Sequence, residues 1–173
     1  MKIRALFLAT TWLVHASVSP AKTEAKKEIM LIKHWQAGSK KGSQPFVIES
    51  EHEQTSGVLS WDLTTNTWQF EYPHVKYEIK DNKLIKKDGD QLTTYPCIGF
   101  SAFLQHPIET WQTILEKKHE VCNENVCFLF VTYNKKPMIW KYRTNPFALL
   151  SIALEDSSGR YYQMDFEVDV IEK

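Results

Sequence analysis

Alternation of apolar and polar side chains with a period of two is the feature that most restricts the fold of this chain. It begins at Pro45 and recurs through most of the remaining sequence. A strand with this pattern can bury one face and keep the other in water. The clearest run is residues 162–170, in which one face carries Tyr162, Met164, Phe166, Val168 and Val170. The chain is therefore predicted to be mainly β.

Short turn sequences divide the alternating region into hairpins. A turn at 64–66 separates two strands with aromatic apolar faces, and Pro73 ends the second strand. Further turns are predicted at 81–83, at 88–90 and at 156–159, where Asp, Asn, Ser and Gly cluster. The remaining strands are predicted at 91–95, 121–122, 127–133, 138–143 and 147–155. Neighbouring strands are expected to pair antiparallel.

Helical spacing replaces this period in two places. Residues 22–36 carry apolar side chains three and four positions apart, and so do residues 100–118, where Pro107 is placed near a helix start. The simplest architecture is α+β, mainly β: one strongly curved antiparallel sheet with two or three helices covering its concave face.

The N-terminus has the order of an export signal. Lys2 and Arg4 precede an apolar run that is too short to span a membrane. Small residues in Ser19-Pro20-Ala21 predict cleavage before Lys22, and Val14-His15-Ala16 is a second candidate. No Cys follows either site, so no lipid anchor is predicted. We expect a signal peptide, cleaved on export to the bacterial periplasm.

Length and charge limit the domain count and the partners. A chain of 173 residues suits a signal peptide at 1–21 and a single domain at 22–173. Lys plus Arg and Asp plus Glu both number 21, so no basic field attracts nucleic acid. We expect no nucleic-acid partner, and we expect a monomer.

Three cysteines leave two alternatives. Cys122 and Cys127 bracket four residues, and a hairpin there would bring them close enough to form a disulfide in an oxidising compartment. Cys97 would then be unpaired. The alternative is three reduced, buried thiols. A catalytic cysteine is not indicated, because no His and Asn context singles one out.

No catalytic or metal-binding motif is present. The six histidines form no HxH or HExxH spacing, and in Glu51-His52-Glu53 neighbouring side chains of a strand would point to opposite faces. Asp165, Glu167 and Asp169 alternate with apolar residues and are expected to face water. We therefore predict no enzyme, no metal and no cofactor.

Aromatic side chains are concentrated on the predicted strands. Under a helical cover they form either a filled core or the lining of an apolar cavity suited to acyl chains, and composition leaves both open. A register shift of one residue would reverse the two faces. The predicted ligand-binding residues are Leu59, Trp61, Trp68, Phe70, Tyr72, Trp111, Trp140, Tyr142, Met164 and Phe166.

Several of these segments occur together in a known family. The stretch Ser56-Gly57-Val58-Leu59-Ser60-Trp61, the aromatic strand 68–73 and the turn 81–84 follow one another in the order of LolA-type lipoprotein carriers. Residues 146–170 resemble the closing hairpin of that family, with a turn before the last strand. The chain resembles this LolA/LolB-like group over roughly residues 46–170, on segment order, length and export signal.

The resemblance implies an unclosed β-barrel with a helical lid. It implies a carrier that binds the acyl chains of lipoproteins and moves them from the inner to the outer membrane without catalysis. The implied partners are acylated lipoproteins, an inner-membrane lipoprotein-releasing ABC transporter and an outer-membrane acceptor. Shielding acyl chains from water gains about 0.8 kcal/mol per methylene. A carrier must therefore open to load and close afterwards.

One departure and two alternatives remain. The family commonly has Lys-Arg-Pro between the aromatic strands, with an Arg that bonds the lid when no ligand is bound. This chain has Asp62-Leu63-Thr64-Thr65 there, and Gln69 stands at another position where Arg is frequent.

The first alternative is a periplasmic scaffold or regulator that binds a protein or peptide on the same half-barrel, with a filled core. The second is an exported hydrolase or isomerase, which needs a His beside a carboxylate in a cleft.

Overall fold

The computed structural model describes residues 28–38, 40–49, 54–155 and 159–168. The first half contains α1 (Met30–Ala37), β1 (Lys41–Glu49), β2 (Gln54–Asp62), β3 (Thr67–Glu71), β4 (Lys76–Lys80), β5 (Lys83–Asp88) and β6 (Gln91–Pro96). The second half contains α2 (Gly99–Leu104), a 3₁₀ turn (Ile108–Thr110), α3 (Trp111–Ile114), β7 (Glu116–Asn123), β8 (Val126–Tyr133), β9 (Lys136–Thr144), β10 (Phe147–Glu155) and β11 (Tyr161–Phe166).

All eleven strands belong to one antiparallel sheet, in the order β6-β5-β4-β3-β2-β1-β11-β10-β9-β8-β7. The first and last strands meet in its middle, where Phe46 of β1 lies opposite Phe166 of β11. β6 and β7 form its two edges, and within the described residues no pairing joins them. The fold prediction is confirmed: the protein is mainly β, with a curved and unclosed sheet.

Tight turns make the neighbouring strands antiparallel. Asp81 and Asn82 have φ of 50° and 62°, and Asn134 and Lys135 have φ of 47° and 64°. Two-residue loops with both φ values positive match the twist of the strands that they join. The hairpin predicted around 81–83 is therefore present, with Lys83 already in β5.

The segment between β6 and β7 crosses the concave face, because it joins the two edges of the sheet. It contains the two helices predicted for 100–118, but Glu116–Lys118 belong to β7 instead. The other predicted helix also differs: α1 begins at Met30, and residues 22–27 lie outside the described residues. Glu116 pairs with Thr132 of β8, and this non-local partner overrides the helical spacing of its segment.

The last strand is shorter than the alternation predicts. β11 ends at Phe166, Val168 follows it without strand structure, and Val170 lies outside the described residues. The side-chain amide of Gln44 fills the neighbouring position, since it accepts a hydrogen bond from Leu149 N at 2.9 Å and donates one to Leu149 O at 3.2 Å. Gln44 thus links β1 to β10 beyond the end of β11.

Several predictions fall outside the described residues. They are the signal peptide at 1–21, Glu51-His52-Glu53, residues 156–158 of the last predicted turn, and Asp169. In the part of the chain that the structure describes, no helix has the length and apolar character needed to cross a bilayer.

A disulfide joins Cys122 and Cys127, which lie directly opposite each other in the β7–β8 hairpin. Cys97 is a free thiol, and desolvation raises its pKa. The interpretation with three reduced thiols therefore does not describe this structure.

Removal of this disulfide in the Cys122→Ser/Cys127→Ser variant is expected to lower the free energy of unfolding by about 2 kcal/mol, because a closed loop restricts the unfolded chain. Urea unfolding followed by tryptophan fluorescence measures the change. Cys97→Ser is the control and should have a smaller effect. An unchanged urea midpoint in the double variant would contradict the prediction.

Candidate functional site

An aromatic cluster occupies the centre of the concave face, around Trp35 of α1. The Trp35 ring centroid lies 5.4–5.9 Å from four other indole centroids, and its side chain is fully buried. Most of these contacts are edge-to-face, the arrangement that aromatic quadrupoles favour. The four rings come from β2, β3, α3 and β9: Trp61, Trp68, Trp111 and Trp140.

The structure brings all ten predicted ligand-binding residues to the concave side, where they belong to one core. Tyr72 is partly buried, and the other nine are buried, with exposed fractions of at most 8%. Trp111 reaches this core from α3 and Tyr72 directly follows β3, whereas the others lie on strands. The aromatic residues of this core that were not predicted to bind a ligand are Trp35, Phe46, Tyr77, Phe100, Phe103, Tyr133 and Phe147. Trp35 lies three residues after Ile32, so its helical spacing was the available signal.

Open clefts lie at the margins of this core. One of them has a volume of about 680 Å³. It lies between the start of β2 and the β3–β4 connection, beside Tyr72, whose ring centroid is 5.6 Å from that of Phe46 and 6.0 Å from that of Tyr77. The lining residues are Gln54, Thr55, Ser56, Tyr72, Pro73, His74, Val75 and Tyr77. The cleft thus borders the aromatic face and opens to solvent.

Helix α1 is attached through its N-terminus to edge strand β7. The carboxylate of Glu120 accepts hydrogen bonds from Met30 N at 2.8 Å and from Leu31 N at 3.2 Å. Gln112 of the α3 region accepts one from Ile29 N at 2.9 Å. Ile29, at the N-cap position, has no side-chain acceptor of its own. Glu120 therefore supplies both the missing cap and a negative charge at the positive end of the helix.

We expect Glu120→Gln to lower the free energy of unfolding by about 1 kcal/mol, because the amide loses charge and acceptor capacity at the helix N-terminus. Hydrogen exchange of the α1 amides should rise more than exchange in the sheet. Glu116→Gln, an exposed carboxylate on the same strand, is the control. Equal exchange of α1 in the two variants would show that Glu120 does not hold this helix.

The crossing segment is attached to the opposite half of the sheet through Asn66. Its side-chain amide donates a hydrogen bond to the carbonyl of Gln105, directly after α2. This contact joins the β2–β3 turn to the helical cover, the region where the resemblance led us to expect an Arg. A weaker contact joins the two parts of the cover, where Gln36 Nε2 donates to Glu109 Oε1 at 3.3 Å.

The stretch that replaces the family's Lys-Arg-Pro is a local turn. Asp62 Oδ1 accepts hydrogen bonds from the backbone N–H of Thr64 at 2.9 Å and from its hydroxyl at 2.5 Å. Lys41 Nζ lies 2.9 Å from Asp62 Oδ2. The Thr64 hydroxyl and then Lys41 lower the pKa of Asp62 from its ordinary value. This stretch therefore shapes the turn that carries Asn66.

The buried side chain of Tyr142 on β9 contacts the carboxylate that caps α1. Its hydroxyl donates to Glu120 Oε1 at 2.7 Å, and its side chain is fully buried. Desolvation raises the pKa of Tyr142 well above its ordinary value of 10.0, and the hydrogen bond to Glu120 and the charge of Glu120 add to this shift. Tyr142 thus ties the carboxylate that caps α1 to β9.

This raised pKa predicts a loss of stability at alkaline pH. The unfolded chain releases the Tyr142 proton near its ordinary pKa of 10.0, whereas the folded protein retains it. Unfolding therefore becomes easier as the pH rises above about 10. The slope of unfolding free energy against pH should become shallower in Tyr142→Phe. Tyr161→Phe, at an exposed tyrosine, is the control, and identical slopes in the two variants would contradict the assignment.

Three indole N–H groups of the core have no hydrogen-bond acceptor among the described residues. They belong to Trp35, Trp68 and Trp140. A buried donor without an acceptor costs about 1–3 kcal/mol. These donors lie in an apolar core, and an oxygen-bearing ligand could satisfy them.

The polar groups of the described residues are not arranged as a metal site. No group of three or more His, Cys, Asp or Glu is placed to hold an ion there. Five lysines of this part of the chain form ion pairs with carboxylates. His106 instead faces a phenol, with Nε2 3.4 Å from the Tyr133 hydroxyl.

Comparison with known proteins identifies no family. No family model matches the chain, and no curated protein matches it. It is similar to a chain in the complex structure of Pseudomonas aeruginosa MucA/MucB, at 12% identity and a TM-score of 0.43, covering 80% of this chain and 56% of that one. It is also similar to a chain in the structure of MucB in complex with MucA(peri), at 14% identity and a TM-score of 0.40, covering 79% and 53%. This chain spans about half the length of the solved chains it matches. At these identities and scores, function has to be argued from the chain's own residues.

Proposed function

We propose that this protein is an exported, non-catalytic carrier that binds the acyl chains of lipoproteins on its concave face and moves them between the two membranes. The supporting observation is the composition of that face. It is a continuous apolar surface on which Trp68 and Trp140 carry indole N–H donors that lack an acceptor among the described residues, and the α1 cover adds a third at Trp35. Acyl esters combine long methylene chains with carbonyl acceptors, and this surface offers complementary groups for both.

The helical cover is short enough to be displaced. α1 has eight residues, α2 six and α3 four, and among the described contacts the cover meets the sheet largely through side chains. Moving α1 would withdraw Trp35 from the centre of the cluster and leave an apolar space between β2, β3 and β9. An acyl chain would then take the place of the protein's own rings.

Acyl burial supplies the free energy that would offset this opening. At about 0.8 kcal/mol per methylene, a chain of about fourteen methylenes gains on the order of 11 kcal/mol. The contacts of α1 oppose it, among them Glu120 and Gln112 at the helix N-terminus. A variant with a weaker cap should therefore load more readily.

A displacement assay tests this function. The protein from Lys22 onward is loaded with an environment-sensitive apolar dye and titrated with a triacylated lipopeptide or its deacylated twin. Displacement by the acylated peptide alone is the expected result, with tighter binding to Glu120→Gln than to Glu116→Gln. Absence of dye uptake, or an equal response to both peptides, would refute acyl carriage.

A second candidate is a periplasmic scaffold or regulator that binds a protein segment. The filled centre of the concave face favours it, because a segment bound outside this core requires no opening. This function predicts that the same assay gives no acyl-dependent response.

A further inference from the structure

The two edges of the sheet are built differently. Residues 116–120 of edge strand β7 are all charged or histidine. The pairing of β7 with β8 shifts register between Glu116 and His119, and Lys117 has a φ of 45°. Glu120 is also covered by the N-terminus of α1. Charge, irregular backbone and a covering element are the usual means by which an edge strand is kept from pairing with another chain.

Edge strand β6 has none of these protections over Gln91–Tyr95. Gln91-Leu92-Thr93-Thr94-Tyr95-Pro96 carries no charge, and all six residues are exposed. Leu92 is 69% exposed and Tyr95 43%, although both are large apolar side chains. The pairing of β6 with β5 is regular from Asp88–Gln91 to Lys83–Pro96.

The free backbone groups of β6 follow from its turn. The loop between β5 and β6 has two residues, so the flanking pair Asp88 and Gln91 exchanges both backbone hydrogen bonds. Because these groups alternate along a strand, the backbone N–H and C=O of Gln91, Thr93 and Tyr95 point towards β5. The backbone N–H and C=O of Leu92 and Thr94 point away from the sheet. Free backbone groups at every second residue are what an added antiparallel strand needs to form its hydrogen bonds.

Lysines face one another on the outer surface beside this edge. Lys76 of β4 lies opposite Lys87 of β5, and Lys80 lies opposite Lys83. Like charges in directly opposite positions destabilise a sheet. Lys80, Lys83 and Lys87 form no ion pair with any described residue, and Lys76 approaches Glu71 only at 3.7 Å. Glu78 lies on the same face between Lys76 and Lys80, so one carboxylate offsets only part of the charge of the four lysines. This surface would gain from an anionic neighbour.

We propose that the free edge of β6 and these four lysines form a docking site for an acidic, extended segment of another polypeptide, which adds to the sheet as a further strand. The backbone groups of Leu92 and Thr94 require a partner with a peptide backbone. The lysines select acidic side chains on its outer face. This site lies apart from the concave face and does not depend on the function proposed above.

A second copy of this chain fits the edge less well. Two β6 strands paired antiparallel about a two-fold axis perpendicular to the sheet would present both lysine surfaces on the same side. This arrangement would add repulsion between like charges. An anionic bilayer would satisfy the lysines but would leave the strand edge unpaired. An acidic segment satisfies both.

Fluorescence anisotropy with a labelled octapeptide of alternating glutamate and valine tests the proposal. The full protein should bind this peptide at least tenfold more tightly than one of alternating lysine and valine. It should also bind it at least tenfold more tightly than the glutamate peptide with N-methylated alternate residues, which cannot pair as a strand. Hydrogen exchange at Leu92 and Thr94 should slow when the glutamate peptide is bound.

Two variants separate the contributions of backbone and charge. Thr94→Pro removes an N–H that points away from the sheet, a position where an edge strand tolerates proline. Lys83→Glu/Lys87→Glu reverses the charge. Each should weaken binding at least tenfold, whereas Thr94→Ala and the distant Lys135→Glu should not. Circular dichroism establishes that every variant is folded.

Three results would overturn the proposal. They are no binding of the glutamate peptide, equal binding of its N-methylated form, and unchanged binding by folded Thr94→Pro. Vesicles containing phosphatidylglycerol provide the remaining comparison. Protein that binds them in a lysine-dependent way, while ignoring the glutamate peptide, would have a lipid-facing surface here instead of a strand-docking site.

Discussion

Trp35→Ala is expected to lower the free energy of unfolding by about 3–5 kcal/mol, because it removes the ring at the centre of the aromatic cluster and leaves a cavity. Trp35 is fully buried and contacts rings from β2, β3, α3, β9 and β10. No single strand can move to fill the space without disturbing the others. Urea unfolding followed by far-ultraviolet circular dichroism measures the loss.

The control for this variant lies on the same helix. Met30 is 37% exposed, so Met30→Ala should change stability by no more than about 0.5 kcal/mol. A similar small loss in Trp35→Ala would show that the sheet is stable without the indole of α1. The concave face would then be only loosely covered, and the opening step of the proposed function would have little energetic cost.

Gly57→Ala is expected to lower the free energy of unfolding by about 2–3 kcal/mol through overpacking. Gly57 of β2 lies opposite Phe46 of β1. A Cβ atom there would lie 2.7 Å from the backbone oxygen of Glu71 and 2.7 Å from Cζ of Phe46. The first of these atoms belongs to the backbone of β3, so the sheet itself would have to shift.

The adjacent Ser56→Ala variant is the control, because Ser56 is exposed on the same strand. Thermal unfolding should separate the two variants clearly. A midpoint for Gly57→Ala equal to that of Ser56→Ala would show that β2 and β3 can separate at low cost. This glycine belongs to the Ser-Gly-x-Leu segment that carries the family resemblance, and close packing gives a physical reason for its presence.

Strand faces were predictable because alternation is a local property. Leu59, Trp61, Trp68 and Phe70 point to the concave side as expected, since each strand has one face that water disfavours. The turn residues were equally informative, because Asp81 and Asn82 adopt positive φ angles that their side chains tolerate. Local patterning therefore accounts for most strands and hairpins, but β1 was not among the predicted strands.

The helical segments were predicted with the wrong boundaries. Glu116–Lys118 continue the helical spacing of their segment but pair with β8, and residues 28 and 29 precede α1 instead of belonging to it. Tertiary partners decide such positions, because short helices are only marginally stable on their own. The role of Trp35 was missed for the same reason, since its four indole neighbours come from segments far apart in the sequence.

By itself, the sequence determined the mainly β character, the inward faces of the strands and the positions of the tight turns, because these depend on neighbours within a few residues. Only the tertiary structure decided that β1 pairs with β11, that Glu120 caps α1, that Trp35 occupies the concave face and that β6 is left as an unprotected edge. The physical reason is distance along the chain: Glu120 and Met30 are 90 residues apart, and no local pattern encodes a contact between groups that only folding of the whole chain brings together.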